Sequence, residues 1–196
     1  MREMTIKEIQ KELGYEIKVV AESQKRRLCE IPVGEVCEIA GYDFIILEHT
    51  DENATYVLLK DFLTKTEFGN SCDYRTSSVK RIIDDFSENI RKKLPLGSVF
   101  PHDIDLTSDD GRKDFGSVTV CASLLTCDLY RRWVNVIDKF RINAWWWLAT
   151  SYSTPSNEYT RYVRCVSSDG TLDYYDCGRS HGVRPFCKLN SSIFVS

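Results

Sequence analysis

The chain lacks the features that mark membrane and secreted proteins. None of its apolar runs approaches the ~20 residues of a membrane helix, so we expect no membrane insertion. Basic and acidic residues are mixed along the sequence, with a net charge of −3, and no basic face predicts nucleic acid binding. The first residues contain no apolar signal core, which favours synthesis in the cytoplasm, followed by retention there or a signal-free route into a particle such as a virion.

Motifs for catalysis and for cofactor binding are also missing. There is no Gly-rich phosphate loop, no G-x-S-x-G turn and no HExxH helix. The histidines His49, His102 and His181 belong to no recognisable motif, and chance proximity is the better interpretation of His181 lying four residues from Cys177. We therefore expect a protein that is not an enzyme and that has no cofactor.

Eight cysteines are many for 196 residues, but none lies in a CxxC pair and none has metal-ligand spacing. Free cysteine behaves as a small hydrophobic residue in protein cores. We predict mostly buried, reduced thiols, with disulfides only if the protein reaches an oxidising space.

An acidic stretch over residues 102–111 contains oxygen ligands of the kind that calcium prefers. Its spacing is not that of an EF-hand loop. Loops rich in Asp, Ser and Gly are usually turns in which side chains bond to the backbone. We therefore predict turns here and no metal site.

Apolar patterning predicts strands, then two helices separated by long loops, then strands again. One helix follows a cap at Thr76 or Ser77, the second covers residues 126–137, and residues 97–120 are predicted to be irregular. Asp169-Gly170 predicts a hairpin with a primed turn. The fold class that this order favours is α+β with mostly antiparallel strands, two main helices and long irregular loops. The predicted strands are 36–39, 42–47 and 55–59, which form a β-meander, and 145–148, 162–166, 171–174 and 183–189.

Residues 1–28 are predicted to be an appendage to a main domain over residues 29–196. A capping box opens a predicted helix over residues 5–13. A strand over residues 15–20 and a charged linker over residues 22–27 follow. The apolar residues of the predicted helix share one face, and they are Ile6, Ile9 and Leu13.

Two blocks near the C-terminus have the composition of a rigid frame. In a strand, two tryptophans of the triplet 145–147 would pack in a core while one faces outward. Arg184 is predicted to make a buried charge-assisted hydrogen bond, Gly182 to supply a permissive backbone torsion, and Pro185 to mark a strand end. The predicted structural frame consists of Trp146, Trp147, Gly182, Arg184 and Pro185.

Between these blocks, residues 173–181 have no apolar period of any kind. A fixed frame around an unpatterned polar and aromatic loop is typical of a binding surface. Tyrosine offers a large amphipathic contact area at low entropic cost, while Ser and Gly adapt to a ligand. A loop that is polar merely because it is exposed is the alternative interpretation.

Three C-terminal motifs resemble a known family. Trp146-Trp147-Leu148-Ala149-Thr150, Val163-Arg164-Cys165-Val166 and Gly182-Val183-Arg184-Pro185-Phe186 resemble a domain common in gut bacteria and their phages. That domain is similar to the formylglycine-generating-enzyme branch of the C-type lectin fold, so the resemblance implies a C-type-lectin-like fold over residues 33–190. This chain departs from the family at Ala149-Thr150-Ser151, where members often carry Arg-Ser-Pro.

Within that branch, the variable proteins of diversity-generating retroelements carry a C-terminal region rewritten at adenines, chiefly in asparagine codons. Such rewriting never yields Lys, Glu, Gln, Met or Trp, and residues 173–181 contain none of these. The resemblance implies a phage or prophage protein with a hypervariable surface. This surface would bind a macromolecular ligand, either a protein or a glycan. The resemblance is also compatible with a homo-oligomer. The predicted contact residues are Tyr152, Tyr159, Arg161, Tyr162, Asp173, Tyr174, Tyr175, Asp176, Arg179 and His181.

Two other functions fit the same resemblance. A formylglycine-generating oxidase needs a paired-cysteine copper site, and Cys177 with Cys187 is the only late pair that would imitate it. A structural virion or assembly protein would instead cover the same loops with a constant oligomer interface.

Overall fold

A computed structural model describes Gly14 and residues 25–196. The helix predicted over residues 5–13 and the strand predicted over residues 15–20 lie outside the described residues. The described part has the predicted α+β composition, and none of its helices is long and apolar enough to cross a membrane. Its helices are α1 (Ser78–Lys93) and α2 (Cys127–Ile137). Its strands are β1 (Arg26–Arg27), β2 (Val36–Ile39), β3 (Tyr42–Thr50), β4 (Ala54–Leu59), β5 (Thr64–Glu67), β6 (Val99–Phe100), β7 (His102–Asp105), β8 (Ser117–Val120), β9 (Ala122–Ser123), β10 (Trp146–Ser151), β11 (Tyr162–Val166), β12 (Leu172–Asp176), β13 (Ser180–Val183), β14 (Phe186–Asn190) and β15 (Phe194–Val195).

Two larger sheets form the centre of the fold. One has the order β2-β3-β4-β14-β6, with β9 also pairing with β14, and its pairs are antiparallel. Its first three strands are the predicted β-meander. The other has the order β12-β11-β10-β13-β5, and only the pair of β10 with β13 is parallel. Because β13 and β14 are separated by two residues, the chain passes directly from one sheet to the other at Arg184 and Pro185.

The two helices lie on opposite faces of these strands. Helix α1 begins after Ser77, whose hydroxyl accepts the Lys80 N–H at 3.0 Å, and it ends in a basic last turn, as the sequence predicts. Helix α2 begins after Thr126, whose hydroxyl accepts the Leu129 N–H. The buried apolar residues of α1 belong to one core cluster and those of α2 to a second.

The central strands supply side chains to both clusters. In β10, Trp147 and Ala149 point into the α1 cluster, whereas Trp146 and Leu148 point into the α2 cluster. Successive residues of a strand face opposite sides of a sheet, which explains this alternation. The strand is therefore covered on both faces and all six of its residues are buried.

Three local predictions are wrong. Residues 97–120 are irregular only in part, because β7 and β8 pair as an antiparallel hairpin whose exposed, polar residues hide the strand pattern. Arg26 and Arg27 do not belong to a linker, since they pair as β1 with β15 at the other end of the chain. The hairpin between β11 and β12 exists, but its turn is not primed, since Gly170 alone has a positive φ and Asp169 does not.

Most of the thiols are buried, as the sequence predicts. None of the eight is paired in a disulfide, and only Cys29 is exposed. Burial raises the pKa of Cys37 and Cys72 to about 11, and that of Cys165 and Cys187 to about 12. These thiols are held in the unreactive protonated form at neutral pH.

Candidate functional site

The tryptophan triplet divides as predicted between the core and the surface. Trp147 is fully buried, its ring meets Phe68 edge-on at 5.5 Å, and its indole N–H donates to the Thr66 carbonyl at 3.0 Å. Trp146 is buried on the other face of β10. Trp145 is only partly buried and reaches the surface.

Arg184 joins the two sheets at the point where the chain crosses between them. It is 1% exposed, and its guanidinium donates to the carbonyls of Leu59 at 2.7 Å and Lys60 at 2.9 Å. The same group lies over the Trp146 ring, 5.4 Å from its centroid. Burial lowers the pKa of Arg184 to about 10, an effect that the nearby Asp61 opposes. The predicted buried, charge-assisted hydrogen bond is therefore present.

The role predicted for Gly182 is wrong in its mechanism. Gly182 has no positive φ and lies inside β13, opposite Lys65. A Cβ atom at this position would come within 2.5 Å of the Phe62 ring. Glycine is needed here because an aromatic ring packs directly onto the backbone, not because of a torsion. Pro185 lies at the break between β13 and β14, as predicted, and its carbonyl accepts the Leu59 N–H at 2.8 Å.

Replacing Gly182 by alanine is expected to lower the free energy of unfolding by about 1–3 kcal/mol, because the new methyl group overlaps the Phe62 ring. The measurement is urea denaturation of Gly182→Ala, Phe62→Ala and the double variant. The Gly182→Ala change should lower the unfolding free energy less in the Phe62→Ala background than in the natural chain. Equal losses in both backgrounds would contradict the close-approach explanation.

Two strands occupy most of the segment 173–181, although the sequence predicts a strand only as far as residue 174 and a polar loop beyond it. Residues 173–176 belong to β12, an edge strand, and Ser180 and His181 begin β13. Tyr174 and Tyr175 are neighbours in β12 and therefore point to opposite faces of the sheet. The predicted contact residues consequently form two separate surface groups.

The first group, called here the tyrosine cluster, consists of Tyr152, Tyr159, Tyr162 and Tyr174. The centroid of the Tyr174 ring lies 4.6 Å from that of Tyr152 and 5.7 Å from that of Tyr162. Tyr159 lies 5.5 Å from Tyr152 and 6.2 Å from Tyr162. Three of the four are 39–44% exposed and Tyr152 is partly buried. The cluster is a continuous aromatic surface of rings that pack chiefly on one another.

The second group, called here the histidine cluster, lies on the opposite face and consists of Trp145, Tyr175 and His181. The His181 ring is 5.7 Å from Trp145 and 5.2 Å from Tyr175, and on its inner side it is 4.4 Å from Trp147. The Arg179 guanidinium lies 5.9 Å from the Tyr175 centroid. Trp145 is absent from the predicted contact residues, although the triplet predicts that one of its rings faces outward.

Arg161 and Asp176 form an ion pair beside the tyrosine cluster. The guanidinium donates to both carboxylate oxygens, at 2.7 and 2.8 Å, and lowers the pKa of Asp176. A Cβ atom at Gly178 would lie 3.1 Å from the carboxylate and 3.2 Å from the guanidinium, so the turn after β12 is shaped to fit the pair. Asp173, on the other face of β12, accepts the outward-pointing N–H of Tyr174 at 2.8 Å. Both carboxylates therefore have a local structural role besides any contact with a ligand.

Two carboxylates, those of Asp110 and Asp114, hold the loop between β10 and β11 in place. The Ser153 hydroxyl donates to Asp110 at 2.6 Å, and the Ser156 N–H donates to Asp114 at 3.2 Å. Ser153 is 1% exposed, so this loop is anchored by a buried side chain, while Tyr159 of the same loop is 39% exposed. Asp105 accepts both the N–H and the hydroxyl of Thr107, as the turn interpretation predicts.

No arrangement of metal ligands is found in the described residues. Within Gly14 and residues 25–196, no three His, Cys, Asp or Glu side chains come together as ligands would. Cys177 follows β12, and its backbone N–H donates to the Arg161 carbonyl. Cys187 lies in β14, opposite Val57 of β4. The two thiols that would imitate a copper site are placed in different parts of the fold.

The free energy of unfolding is expected to fall as the pH is lowered from about 7 to 5.5. Burial lowers the pKa of His181 and of His102 below the ordinary value of 6.5. At pH values between the ordinary pKa and the lowered pKa, the histidines bind protons in the unfolded chain but not in the folded chain. The free energy of unfolding therefore rises with pH in this range and falls on acidification. His181→Phe should reduce the loss of unfolding free energy between pH 7 and 5.5 in urea titrations. An unchanged pH dependence would contradict a neutral, partly buried imidazole.

Comparison with family models, with curated proteins and with solved structures gives no match for this chain.

Proposed function

We propose that this chain is a non-enzymatic ligand-binding protein with a C-type-lectin-like fold, similar to the variable proteins of diversity-generating retroelements in phages and prophages. Its C-terminal surface recognises a macromolecular ligand, protein or glycan. The observation that carries the proposal is the exposure of the tyrosine cluster, since three of its four rings are 39–44% exposed. Large aromatic side chains that pack mainly on one another at a surface are typical of binding sites.

The surrounding structure supports a surface whose residues change while the scaffold stays constant. The cluster lies on an edge strand and on an anchored loop, and the residues beneath it are buried and hydrogen bonded. Removing a ring there creates no cavity in either core cluster. Tyrosine supplies contact area with few rotatable bonds, as in antibody binding loops.

A binding screen tests the proposal. The chain would be applied to arrays of purified bacterial surface proteins and of glycans, beside Tyr174→Ala, Tyr162→Ala and the control Tyr56→Ala, whose ring stacks on Phe186 away from the cluster. Binding that both cluster variants lose and that folded Tyr56→Ala keeps supports the proposal. A ligand whose binding is unaffected by both cluster variants contradicts it.

The retroelement relationship has its own test in the genome. We expect a near-copy of the nucleotides that encode residues 145–187, differing at adenines and lying beside a reverse transcriptase gene. The differences should fall in the codons of exposed residues such as Tyr159 and Tyr174. They should spare buried Ser153 and Cys177. Absence of such a copy contradicts the retroelement relationship. The binding surface itself would still be tested by the array screen.

A further inference from the structure

The loop between β10 and β11 carries half of the tyrosine cluster. Tyr152 lies at its start and Tyr159 near its end. Within the loop, the N–H groups of Asn157 and Tyr159 donate to the Thr154 carbonyl at 2.9 and 3.2 Å. These bonds close one short turn, and an isolated turn has little stability of its own in water. The position of the two tyrosines therefore depends on contacts between this loop and other segments.

Asp110 makes the first of these contacts. Its carboxylate accepts the hydroxyl of the buried Ser153 at 2.6 Å, and the Asn157 side-chain amide donates to the same hydroxyl at 3.2 Å. A hydrogen bond to a carboxylate is stronger than one between neutral groups. The carboxylate is also held by its own segment, since it accepts the Ser108 hydroxyl and the Arg112 Nε–H. Asp110 is therefore a fixed acceptor on which the loop is seated.

Asp114 makes the second contact, at the turn of the loop. Its carboxylate accepts the backbone N–H of Ser156 at 3.2 Å. Every residue except proline has this N–H, so the contact does not require serine at position 156. Both aspartates precede residues 145–187, the segment in which the proposed function predicts variation. The loop is thus held by two residues that lie outside the segment expected to change.

We propose that Asp110 and Asp114 are positioning residues for the ligand surface. They hold residues 153–157 so that the rings of Tyr152 and Tyr159 stay packed, with their centroids 5.5 Å apart. A surface that is ordered before binding loses less conformational freedom when it meets its ligand. This inference rests on the proposed function, but the order of the loop is measured without a ligand. Its failure would leave the array screen untouched, and a failed screen would leave the loop measurement valid.

Hydrogen–deuterium exchange of the unliganded full chain tests the positioning role. Peptides that cover residues 153–160 would be compared in the natural chain, Asp110→Ala and Asp114→Ala. We expect each variant to raise the exchange rate of these peptides at least about tenfold, because each loses a hydrogen bond to a charged group. Peptides from α1 should keep their exchange rates, since the contacts join two surface loops.

The ring of Tyr159 gives a second readout in the same variants. With 3-fluorotyrosine at position 159, the ¹⁹F signal of Asp110→Ala should move toward that of free fluorotyrosine, because the ring leaves Tyr152. Asp110→Asn keeps an acceptor oxygen, so its signal and its exchange rates should lie closer to those of the natural chain. A ¹⁹F signal that Asp110→Ala does not move would overturn the positioning of the ring.

Asp103→Ala is the matched control for the exchange measurement. Asp103 belongs to the same acidic stretch, but it accepts the Thr119 hydroxyl within the β7–β8 hairpin. Its removal should leave the exchange of residues 153–160 unchanged. Unchanged exchange in Asp110→Ala or in Asp114→Ala would overturn the role of that residue. An equal rise in Asp103→Ala, or a rise that is equally large in α1, would overturn the proposal, because the aspartates would then support the fold in general.

Discussion

Replacing Trp147 by alanine is expected to lower the free energy of unfolding by about 3–5 kcal/mol, the range for loss of a large buried aromatic side chain. Trp147 is fully buried between Phe68 and His181 in the α1 cluster, on a strand covered on both faces. Urea denaturation followed by far-UV circular dichroism measures the loss. At the upper end of the range, the variant would be partly unfolded at 37 °C.

The variant Trp147→Phe separates packing from hydrogen bonding. It keeps most of the ring volume but removes the indole N–H that donates to the Thr66 carbonyl at 3.0 Å. We expect a smaller loss of about 1–3 kcal/mol, since the partly buried Thr66 carbonyl loses this donor. If Trp147→Ala cost less than about 1 kcal/mol, Trp147 would not be part of the structural frame.

Replacing Arg184 by alanine is expected to lower the free energy of unfolding by about 3–5 kcal/mol. The change removes the donor to three carbonyls, those of Leu59, Lys60 and, at 3.5 Å, Phe140, which then lack this partner. It also leaves the Trp146 ring without the side chain that packs over it. Thermal and urea unfolding of the purified variant measure the effect.

The control for this prediction is Arg184→Lys. Lysine keeps the charge and the length of the stem but cannot reach two carbonyls with a planar fork. We therefore expect an intermediate loss. If Arg184→Lys lost as much unfolding free energy as Arg184→Ala, the positive charge would contribute nothing to stability. If neither variant changed the unfolding free energy, the crossing between the two sheets would not depend on this residue.

Local patterns predict the elements whose neighbours are close in sequence. The bounds of β2 and β11 match the predicted strands residue for residue, and Ser77 caps α1 as predicted. These elements have clear apolar periods because a core covers at least one of their faces. The hairpin of β7 and β8 was missed because Ile104 is the only residue of β7 that is buried.

The sequence predicts which residues reach the surface near the C-terminus, but not the strand and the two faces on which they lie. Residues 173–176 show no apolar period because β12 is an edge strand whose two central tyrosines are both exposed, one on each face. The sequence predicts a strand only over residues 171–174, so a loop is predicted where the second half of β12 forms. The contact of Phe62 with Gly182 joins residues 120 positions apart in sequence, so a local pattern cannot indicate it.

The unfolding free energy of Tyr174→Ala, measured beside that of Trp147→Ala, tests most directly whether the tyrosine cluster exists for contact rather than for packing. Tyr174 is 44% exposed and its ring neighbours are Tyr152 and Tyr162. We predict a loss of no more than about 3 kcal/mol, because Tyr174 makes two ring pairs that are each worth roughly 0.5–1.5 kcal/mol. A loss as large as that of Trp147→Ala would mean that the cluster supports the fold and would contradict a binding surface.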